Sequence, residues 1–596
     1  MQEDHGATAI AIRVVRPSFY LEHNASVLSL KRVVYFAAIA IQTWHDPGPV
    51  KDDKMRTLVV TPAQGRDPNG TWKTARTALW AVIGVSTLLR LLWAQNIGAV
   101  IDEPYYLQYI QHPALSYFDH PPMVALVGAP GVALARDAFS LFGLRVGFIF
   151  MFAGSSWLMA HLTTRFYGAW AGVVAAIVLN ASGYFGIVVG TIALPDGPLL
   201  FFWILTLDRL VAALEKPERV PPWLGVGFAW GGAMLSKYHA VLLPVGVLLY
   251  MFLRPKSLRC LGKPGPYLAV AIGLALFSPV VIWNASNGWV SFLFQGGRAS
   301  ASSGLRLDHL AVAVGSEALY LFPWLWVALL VILVRLLRRR PRDWDDSEAF
   351  LMSQALPALV LFHVVASFQR IMPYWPLFGF ISLIPLLGRN WAEGLKARPG
   401  VQGRWLAALA VSPIVLVALV FAQDRIGMLE DRQGRLLGLV EPSKDPTIVL
   451  ICYEQIAAEL ERRGLLNDPN TFLFTESWDR SARLALAIRG KVPVACYNIE
   501  ARSFSFWSRP EDWVGRDGIF VEDGRQPGSL ANYSKFFSKY EAIGTARIVR
   551  RGIVVREIYL YRGTYQTWAF PFDGRLAAKN PPPKALGRTA RSTSSG

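Results

Sequence analysis

The amino-acid sequence predicts an α-helical polytopic membrane protein that ends in a small α/β domain. Hydrophobic residues make up 53% of its 596 residues and charged residues only 17%, whereas about a quarter of an average soluble chain is charged. The chain also holds 21 Trp and 50 Gly residues, two types that are frequent in and around bilayers. This composition excludes a disordered chain, a collagen, a coiled coil and a small disulfide-stabilised domain.

The net charge of +18 comes from 60 Lys and Arg against 42 Asp and Glu residues. Such an excess is also found in proteins that bind nucleic acid. In a membrane protein, however, basic residues gather in the cytoplasmic loops and orient the spans. We therefore expect membrane lipids, and no nucleic acid, as partners of this surface.

Apolar runs long enough to cross a bilayer, or nearly so, divide most of the chain. Residues 1–76 come first and are polar, which predicts a cytoplasmic tail of low order. The segment 121–138 is short, contains Pro130 and ends near Arg136, so it predicts an interfacial or re-entrant helix. The eleven predicted spans are 77–94, 142–162, 167–189, 196–214, 221–236, 239–253, 266–284, 309–334, 350–368, 373–388 and 405–422.

The distribution of basic residues orients these spans. With the N-terminus in the cytoplasm, the inside loops of residues 77–422 hold sixteen Lys and Arg residues, and the outside loops hold four besides Arg136 of the interfacial segment 121–138. The positive-inside rule favours this arrangement. It places the first outer loop, 95–141, and everything after residue 422 on the extracytoplasmic side, as in a bacterial inner-membrane protein.

The composition changes after residue 422. Residues 423–575 alternate strand-like runs with helix-like runs, which predicts an extracytoplasmic α/β domain, and residues 576–596 predict a disordered tail. Cys452 and Cys496 fall in this domain, where they could form a disulfide or remain two buried thiols; the three cysteines of the chain form no metal or redox motif. The predicted strands are TIVLICY (447–453), TFLFTES (471–477), VPVACY (492–497), GIFVED (518–523) and IVVREIYLY (553–561).

The first outer loop concentrates acidic and aromatic residues. Asp102 and Glu103 precede two tyrosines, and Tyr117 opens the run YFDHPP. Carboxylates at the mouth of a span are often merely solvated, but here two prolines stiffen the backbone after His120. Asp119 and His120 are residue types that bind divalent metals.

Further candidates lie at later outer turns. Asp196 stands between two apolar runs, where a carboxylate is costly and often functional, although it could also cap the next helix. Lys237 and Arg370 are outer cations that could snorkel to lipid headgroups or bind phosphate. Tyr374 follows Arg370 in the aromatic run PYWP. Carboxylates, cations and aromatic rings together are typical of a site for a phosphate and a sugar.

These motifs resemble those of multi-spanning glycosyltransferases that use polyprenyl-phosphate sugars. The resemblance covers residues 77–422 and rests on Asp102-Glu103, the run 117–122, Leu194-Pro195-Asp196, Ser236-Lys237-Tyr238 and the run 373–376. The superfamily, GT-C, includes protein O-mannosyltransferases, lipid A aminoarabinose transferases and rhizobial lipopolysaccharide galacturonosyltransferases, in glycosyltransferase families 39 and 83. It implies transfer of a sugar, with inversion, to an acceptor lipid or protein.

The resemblance also implies roles for individual residues. Asp102 is expected to be the main catalytic carboxylate and Asp196 the second essential acid. Asp119 is expected to bind a divalent metal cation (Mg²⁺, Mn²⁺ or Zn²⁺). Some relatives carry Glu-Lys in place of Asp119-His120, so the donor phosphate would depend on additional cations. The expected phosphate-binding residues are His120, Lys237, Arg370 and Tyr374, with Glu103 and Tyr117 as further site residues.

Two other functions share some of these features. A transporter or flippase for a lipid-linked sugar would also have apolar spans and cations, but transporters bind near the midplane and often contain internal repeats, which the two halves of this sequence do not show. A polysaccharide polymerase or ligase usually has a large outer loop in mid-chain. Here the longest outer loop is the first one, which favours the transferase.

Overall fold

The computed structural model describes residues 71–100, 102–299, 304–427, 445–523 and 533–571. Of the predicted N-terminal tail, only residues 71–76 are described, and they belong to the first helix, α1 (Thr71–Asn96). The predicted tail 576–596 lies outside the described residues. The described residues form a helical body, residues 71–427, followed by a mixed α/β domain, residues 445–571, which we call the C-terminal domain.

The helical body begins with α1 and the first loop (residues 97–122), which contains the short helix α2 (Glu103–Gln111). The helices that follow are α3 (Met123–Ala135), α4 (Leu141–Tyr167), α5 (Ala169–Ala181), a π-helix (Gly183–Val189), α6 (Asp196–Glu215), α7 (Val220–Ser236), α8 (Leu242–Leu253), α9 (Pro264–Ser286), α10 (Val290–Ala299), α11 (Leu307–Leu321), α12 (Pro323–Leu337), α13 (Asp346–Ala366), α14 (Leu377–Ile381), α15 (Ile384–Ala397) and α16 (Pro399–Ile426).

Six of the described helices are long and apolar enough to cross a membrane, and the number rises to nine if each of three bent helix pairs is one span. The polytopic helical fold is therefore confirmed, whereas the number of eleven spans stays a prediction. The segment 121–138 forms the apolar helix α3, whose 13 residues are too few to span a bilayer. It ends at Arg136, which adopts the left-handed conformation with φ of 52°.

Two apolar runs that predict single straight spans are broken in the structure. The run 309–334 forms α11 and α12, which are bent by 114°, because Phe322 has a φ of 70° and Pro323 lacks the backbone N–H that would continue the helix. The run 167–189 bends by 68° between α5 and the π-helix. There the Ser182 hydroxyl accepts a hydrogen bond from the Gly186 N–H at 3.2 Å and caps the new helix.

The C-terminal domain is built on a five-stranded sheet with the order β2-β1-β3-β5-β4. Strand β1 pairs in parallel with β2 and β3, whereas β5 is antiparallel to both β3 and β4. The strands are β1 (Thr471–Thr475), β2 (Val494–Cys496), β3 (Asp517–Asp523), β4 (Phe537–Arg550) and β5 (Ile553–Gln566), and the helices are α17 (Val449–Arg462), α18 (Trp478–Ala487) and α19 (Phe504–Trp507).

One predicted strand of this domain is wrong. The run TIVLICY at 447–453 starts helix α17, because Ile448, Cys452 and Ile456 recur every four residues and form one buried helical face. Strand β4 was not predicted. Cys452 and Cys496 are buried thiols that form no disulfide with each other, and they lie in two separate hydrophobic clusters.

A shared hydrophobic cluster joins the C-terminal domain to the first loop. It contains Tyr105 and Tyr109 from α2 together with Phe474 and Tyr497 from the sheet, all of them buried. Polar contacts flank this cluster: the Arg489 guanidinium lies 2.8 Å from the Asp137 carboxylate. The fold therefore holds the first loop between the helical body and the C-terminal domain.

Candidate active site

A buried ion pair anchors the first loop to the helical body. Arg145 of α4 donates from Nε to Glu103 Oε1 at 2.7 Å and from Nη2 to Glu103 Oε2 at 2.5 Å, and both side chains are fully buried. Arg145 also donates to the carbonyl oxygens of Ala94, Ile97 and Gly98 at the end of α1. Both carboxylate oxygens of Glu103 therefore accept hydrogen bonds from Arg145, and the residue anchors the first loop to α4.

The carboxylate of Asp102, the neighbour of this anchor, has no hydrogen-bond partner among the described residues. Its backbone carbonyl starts helix α2 by accepting from the N–H groups of Tyr105 and Tyr106, but its side chain makes no cap hydrogen bond. Burial and the nearby charge of Asp119 raise the pKa of Asp102 from 3.8 to about 6, although Arg502 and Arg483 oppose the change. A carboxyl group whose pKa lies near neutrality is suited to proton transfer.

Asp119 is held by three side chains. Its Oδ1 accepts hydrogen bonds from the hydroxyls of Tyr105 at 3.1 Å and Tyr109 at 2.5 Å, and its Oδ2 accepts from Arg502 Nη1 at 2.9 Å. Burial alone would raise the pKa of Asp119, but the charges of His120 and Arg502 and the two tyrosine hydrogen bonds lower it below its ordinary value. Asp119 is therefore a fixed negative charge.

Asp196 and Lys237 form a second buried ion pair. Lys237 Nζ lies 2.9 Å from Asp196 Oδ1 and 2.8 Å from Oδ2, and the two residues are only 5% and 3% exposed. The ammonium group also lies 4.9 Å from the ring centre of Tyr374. The Tyr374 ring stacks on Tyr184 of the π-helix, with the ring centres 5.1 Å apart.

His120 and Tyr106 interact both with the Asp102–Asp119 region and with the Asp196–Lys237 pair. Burial lowers the pKa of His120 to about 4, and among the charges that act on it are Asp119 on one side and Asp196 and Lys237 on the other. Burial raises the pKa of Tyr106 well above its ordinary value, and Asp102, Asp119 and Asp196 raise it further. Within the described residues, the buried Nδ1 of His120 has no hydrogen-bond partner.

Two adjoining apolar cavities lead towards Tyr374. Their volumes are about 360 and 320 Å³, and both are lined by Trp93, Ile187 and Val417. The second cavity also includes Tyr184 and Tyr320, whose rings lie 5.1 and 6.4 Å from that of Tyr374. A long apolar chain could therefore reach the Asp196–Lys237 pair from the side of the helical body.

A third cavity, of about 410 Å³, lies between the first loop and the C-terminal domain. Its lining contains aromatic, amide and hydroxyl side chains and no Asp, Glu, Lys or Arg. Tyr117 belongs to this lining; its ring stacks on Tyr109 at 3.7 Å and its hydroxyl donates to the Tyr109 carbonyl oxygen. Other lining residues are Gln111, His112, Trp283, Asn287, Ser503 and Trp507.

The structure thus brings most of the sequence-predicted residues to one region, with one exception. Arg370 is exposed, and none of the contacts described for the Asp196–Lys237 pair involves it. The structure also adds residues that sequence reasoning missed, chiefly Arg483 and Arg502 of the C-terminal domain. No sequence motif marks these two arginines, because they lie some 380 residues after the loop that they contact.

The side chains around Asp119 do not form a metal centre by themselves. Both Asp119 oxygens already accept hydrogen bonds from Arg502 and the two tyrosines. Among the described residues, no three His, Cys, Asp or Glu side chains lie close enough to share an ion. A metal bound by Asp119 and His120 would compete with Arg502, so these residues as arranged do not fit it.

The chain is similar to known proteins in sequence. Residues 119–283 match the family described as Dolichyl-phosphate-mannose-protein mannosyltransferase. Over 484 residues the chain is 22% identical to the lipid A galacturonosyltransferase RgtD of Rhizobium johnstonii, an alignment that covers 78% of this chain and 96% of the relative.

Solved structures show the same fold. The crystal structure of ArnT from Cupriavidus metallidurans bound to undecaprenyl phosphate superposes with a TM-score of 0.52 at 16% identity, covering 83% of this chain and 98% of that one. The apo state of the same protein gives 0.50 at 14% identity, with 81% and 97% covered. The resemblance carried by the motifs is therefore confirmed: residues 119–283 match the mannosyltransferase family, most of the chain aligns with a lipid A galacturonosyltransferase, and the membrane-type helical fold is that of ArnT.

Proposed function

We propose that this chain transfers a sugar from a polyprenyl-phosphate donor to an acceptor on the extracytoplasmic side of the bacterial inner membrane. The observation that carries the proposal is Asp102: a carboxylate without a hydrogen-bond partner in the described residues, with its pKa raised to about 6, which Tyr106 links to the buried Asp196–Lys237 pair. An acceptor hydroxyl needs such a base, and a phosphate leaving group needs such a cation.

The donor would bind at the Asp196–Lys237 pair. Its polyprenyl chain would lie in the two apolar cavities that end near Tyr374, and its phosphate would approach Lys237. Asp196 positions Lys237 through both carboxylate oxygens. The unpartnered Nδ1 of His120 is a further group that could hydrogen-bond to a phosphate oxygen. The solved relative bound to undecaprenyl phosphate supports a donor of this class.

Transfer would then proceed in one displacement. The acceptor oxygen attacks the anomeric carbon while the bond between that carbon and the phosphate oxygen breaks, which inverts the configuration. The proton of the acceptor hydroxyl passes to Asp102, and the polyprenyl phosphate leaves with the bonding electron pair. Lys237 stabilises the negative charge that grows on the phosphate, because a preorganised cation in a site of low dielectric interacts strongly with it.

For the acceptor, we propose a glycolipid of the lipid A or lipopolysaccharide class ahead of a protein. The relative that the chain matches over 96% of its length is a lipid A galacturonosyltransferase, whereas the mannosyltransferase family model covers only residues 119–283. The uncharged cavity of about 410 Å³ beside the first loop offers aromatic faces and hydrogen-bonding groups that suit a sugar ring.

The test uses the full chain in lipid nanodiscs with synthetic polyprenyl-phosphate sugars and lipid A. Release of free polyprenyl phosphate together with a glycosylated acceptor is expected for the wild type and not for Asp102→Asn. Asp137→Asn is the matched control, because Asp137 is a carboxylate of the same body that pairs with Arg489 away from the site. Movement of intact donor between leaflets, without release of polyprenyl phosphate, would instead support a flippase.

A further inference from the structure

The C-terminal domain reaches into the candidate active site through one short segment, Arg502–Trp507. Ser503 Oγ lies 2.8 Å from the Tyr105 hydroxyl and its backbone N–H donates to the same hydroxyl at 3.1 Å. The Trp507 ring stacks on His112 of the first loop, with the ring centres 4.9 Å apart. The segment therefore packs on the side of α2 that carries the tyrosines bound to Asp119.

Arg502 is the residue of this segment that makes an ionic contact with the first loop. Its Nη1 donates to Asp119 Oδ2 at 2.9 Å, and its guanidinium lies 4.0 Å from the ring centre of Trp478. The residue adopts a φ of 51°, which is uncommon for a side chain other than glycine and is maintained only when the surroundings require it. Packing against Trp478 and pairing with Asp119 meet that condition.

A second arginine of the C-terminal domain lies close by. Arg483 is 2% exposed. Its Nη1 donates to the carbonyl oxygen of Ala99 at 3.1 Å, in the part of the first loop that precedes Asp102. Its Nε and Nη2 have no hydrogen-bond partner among the described residues. Arg483 and Arg502, two cations of the C-terminal domain, thus lie at the Asp102–Asp119 region. The two carboxylates of that region belong to the helical body.

We propose that Arg502 is a positioning residue for sugar transfer, which holds Asp119 and thereby fixes the first loop in the arrangement that presents Asp102 to the acceptor. This inference rests on the proposed function and extends the active site to the C-terminal domain. Arg489 provides a built-in comparison: it also joins the C-terminal domain to a carboxylate of the helical body, with Nη2 2.8 Å from Asp137 Oδ1, but none of its described contacts involves Asp102 or Asp119.

The experiment measures kcat, KM for donor and acceptor, and the pH profile of full-length Arg502→Gln, Arg502→Lys and Arg489→Gln in nanodiscs. Arg502→Gln is expected to lower kcat by about tenfold or more, since small displacements of a catalytic group are costly, while KM for the donor changes little. Arg502→Lys is expected to lie between that variant and the wild type, because it keeps the charge but loses the planar fork. Arg489→Gln is expected to match the wild type.

The pH profile separates a positioning role from general destabilisation. The groups that act on Asp102 are Asp119 and Asp479, which favour its protonation, and Arg502 and Arg483, which oppose it; Tyr106 also interacts with it. Loss of the Arg502 charge should therefore move the acid limb of kcat to higher pH in Arg502→Gln and leave it in place in Arg502→Lys and Arg489→Gln.

Equal kcat values and equal acid limbs in Arg502→Gln and Arg489→Gln would overturn the inference. If Arg502→Gln fails to fold, Arg502→Lys decides, and a kcat equal to that of the wild type would overturn it. An inactive wild type with every donor would instead reject the proposed function, and the two failures are thus distinguishable.

Discussion

Replacing Asp102 by Asn is expected to slow transfer strongly and, at the same time, to stabilise the protein. The pKa of Asp102 rises from 3.8 to about 6 on folding because the carboxyl is partly buried beside Asp119. The folded state therefore binds its proton more tightly than the unfolded state does. Between about pH 4 and pH 6 the folded state carries more protons, so stability falls as pH rises through this window, and the cost is complete at pH 7.

The size of this cost follows from the pKa change. A difference of about two pKa units corresponds to about 3 kcal/mol at 1.36 kcal/mol per unit, and this is an upper bound because Asp102 is partly exposed. We expect Asp102→Asn to recover about 1–2 kcal/mol at pH 7 after allowance for solvent screening. The same substitution removes the base, so the rate of transfer should fall by about 10²–10⁴.

The assay is thermal unfolding of the wild type and the variant in nanodiscs, at pH 7 and at pH 5, beside the transfer assay. The variant should unfold at a higher temperature than the wild type at pH 7, and the difference should shrink at pH 5, where the wild-type carboxyl is mostly protonated. In Asp137→Asn no such gain is expected, because hydrogen bonds from the Phe139 N–H and from Arg489 lower the pKa of Asp137. An Asp102→Asn variant that is less stable at pH 7 than the wild type would refute the reasoning.

Lys237→Met should destabilise the protein by about 3–5 kcal/mol, because it leaves the Asp196 carboxylate buried without its partner; the double variant with Asp196→Asn should recover much of this loss in unfolding measurements and stay inactive. Tyr374→Leu removes the ring beside Lys237 and Tyr184 and should raise KM for the donor by about tenfold with a smaller effect on kcat. Exhaustive chelation should leave the rate unchanged, because Arg502 already pairs with Asp119 and Lys237 supplies the positive charge for the phosphate; loss of activity with recovery in Mg²⁺, Mn²⁺ or Zn²⁺ would contradict this and support the metal predicted at Asp119. Lys491→Cys and Arg342→Cys, each made in a chain without its native cysteines, place a thiol at an exposed position. A membrane-impermeant thiol reagent added from the periplasm should label the first variant and not the second. The reverse result would contradict the proposed orientation.

The sequence was informative where the signal is local. Apolar runs predicted the helical body, and acidic and aromatic residues adjacent in the chain marked Asp102, Asp119 and His120. The sequence predicts Asp196 and Lys237 as two separate candidate site residues, because each is an ionisable residue next to a span. Their direct pairing at 2.8 Å depends on how α6 and α7 pack, and that packing has no local signature.

Other features depended on competing local preferences or on distant contacts. The continuous apolar run 309–334 hides the break at Phe322 and Pro323, and β-branched residues at 447–453 favour a strand although their spacing suits the helix that forms. Arg502 lies 383 residues from Asp119, and only the folded C-terminal domain brings the two together. Glu103, expected to be a site residue, instead anchors the loop through Arg145.

The docking of Arg483 and Arg502 on the first loop also has a consequence for biosynthesis. Asp119 leaves the ribosome 383 residues before Arg502, which at typical elongation rates of about 5–20 residues per second is a delay of about 20–80 s. During that interval Asp119 still lacks its arginine. If Arg502 positions Asp119 as proposed, the order of synthesis keeps the nascent chain inactive until the C-terminal domain has folded.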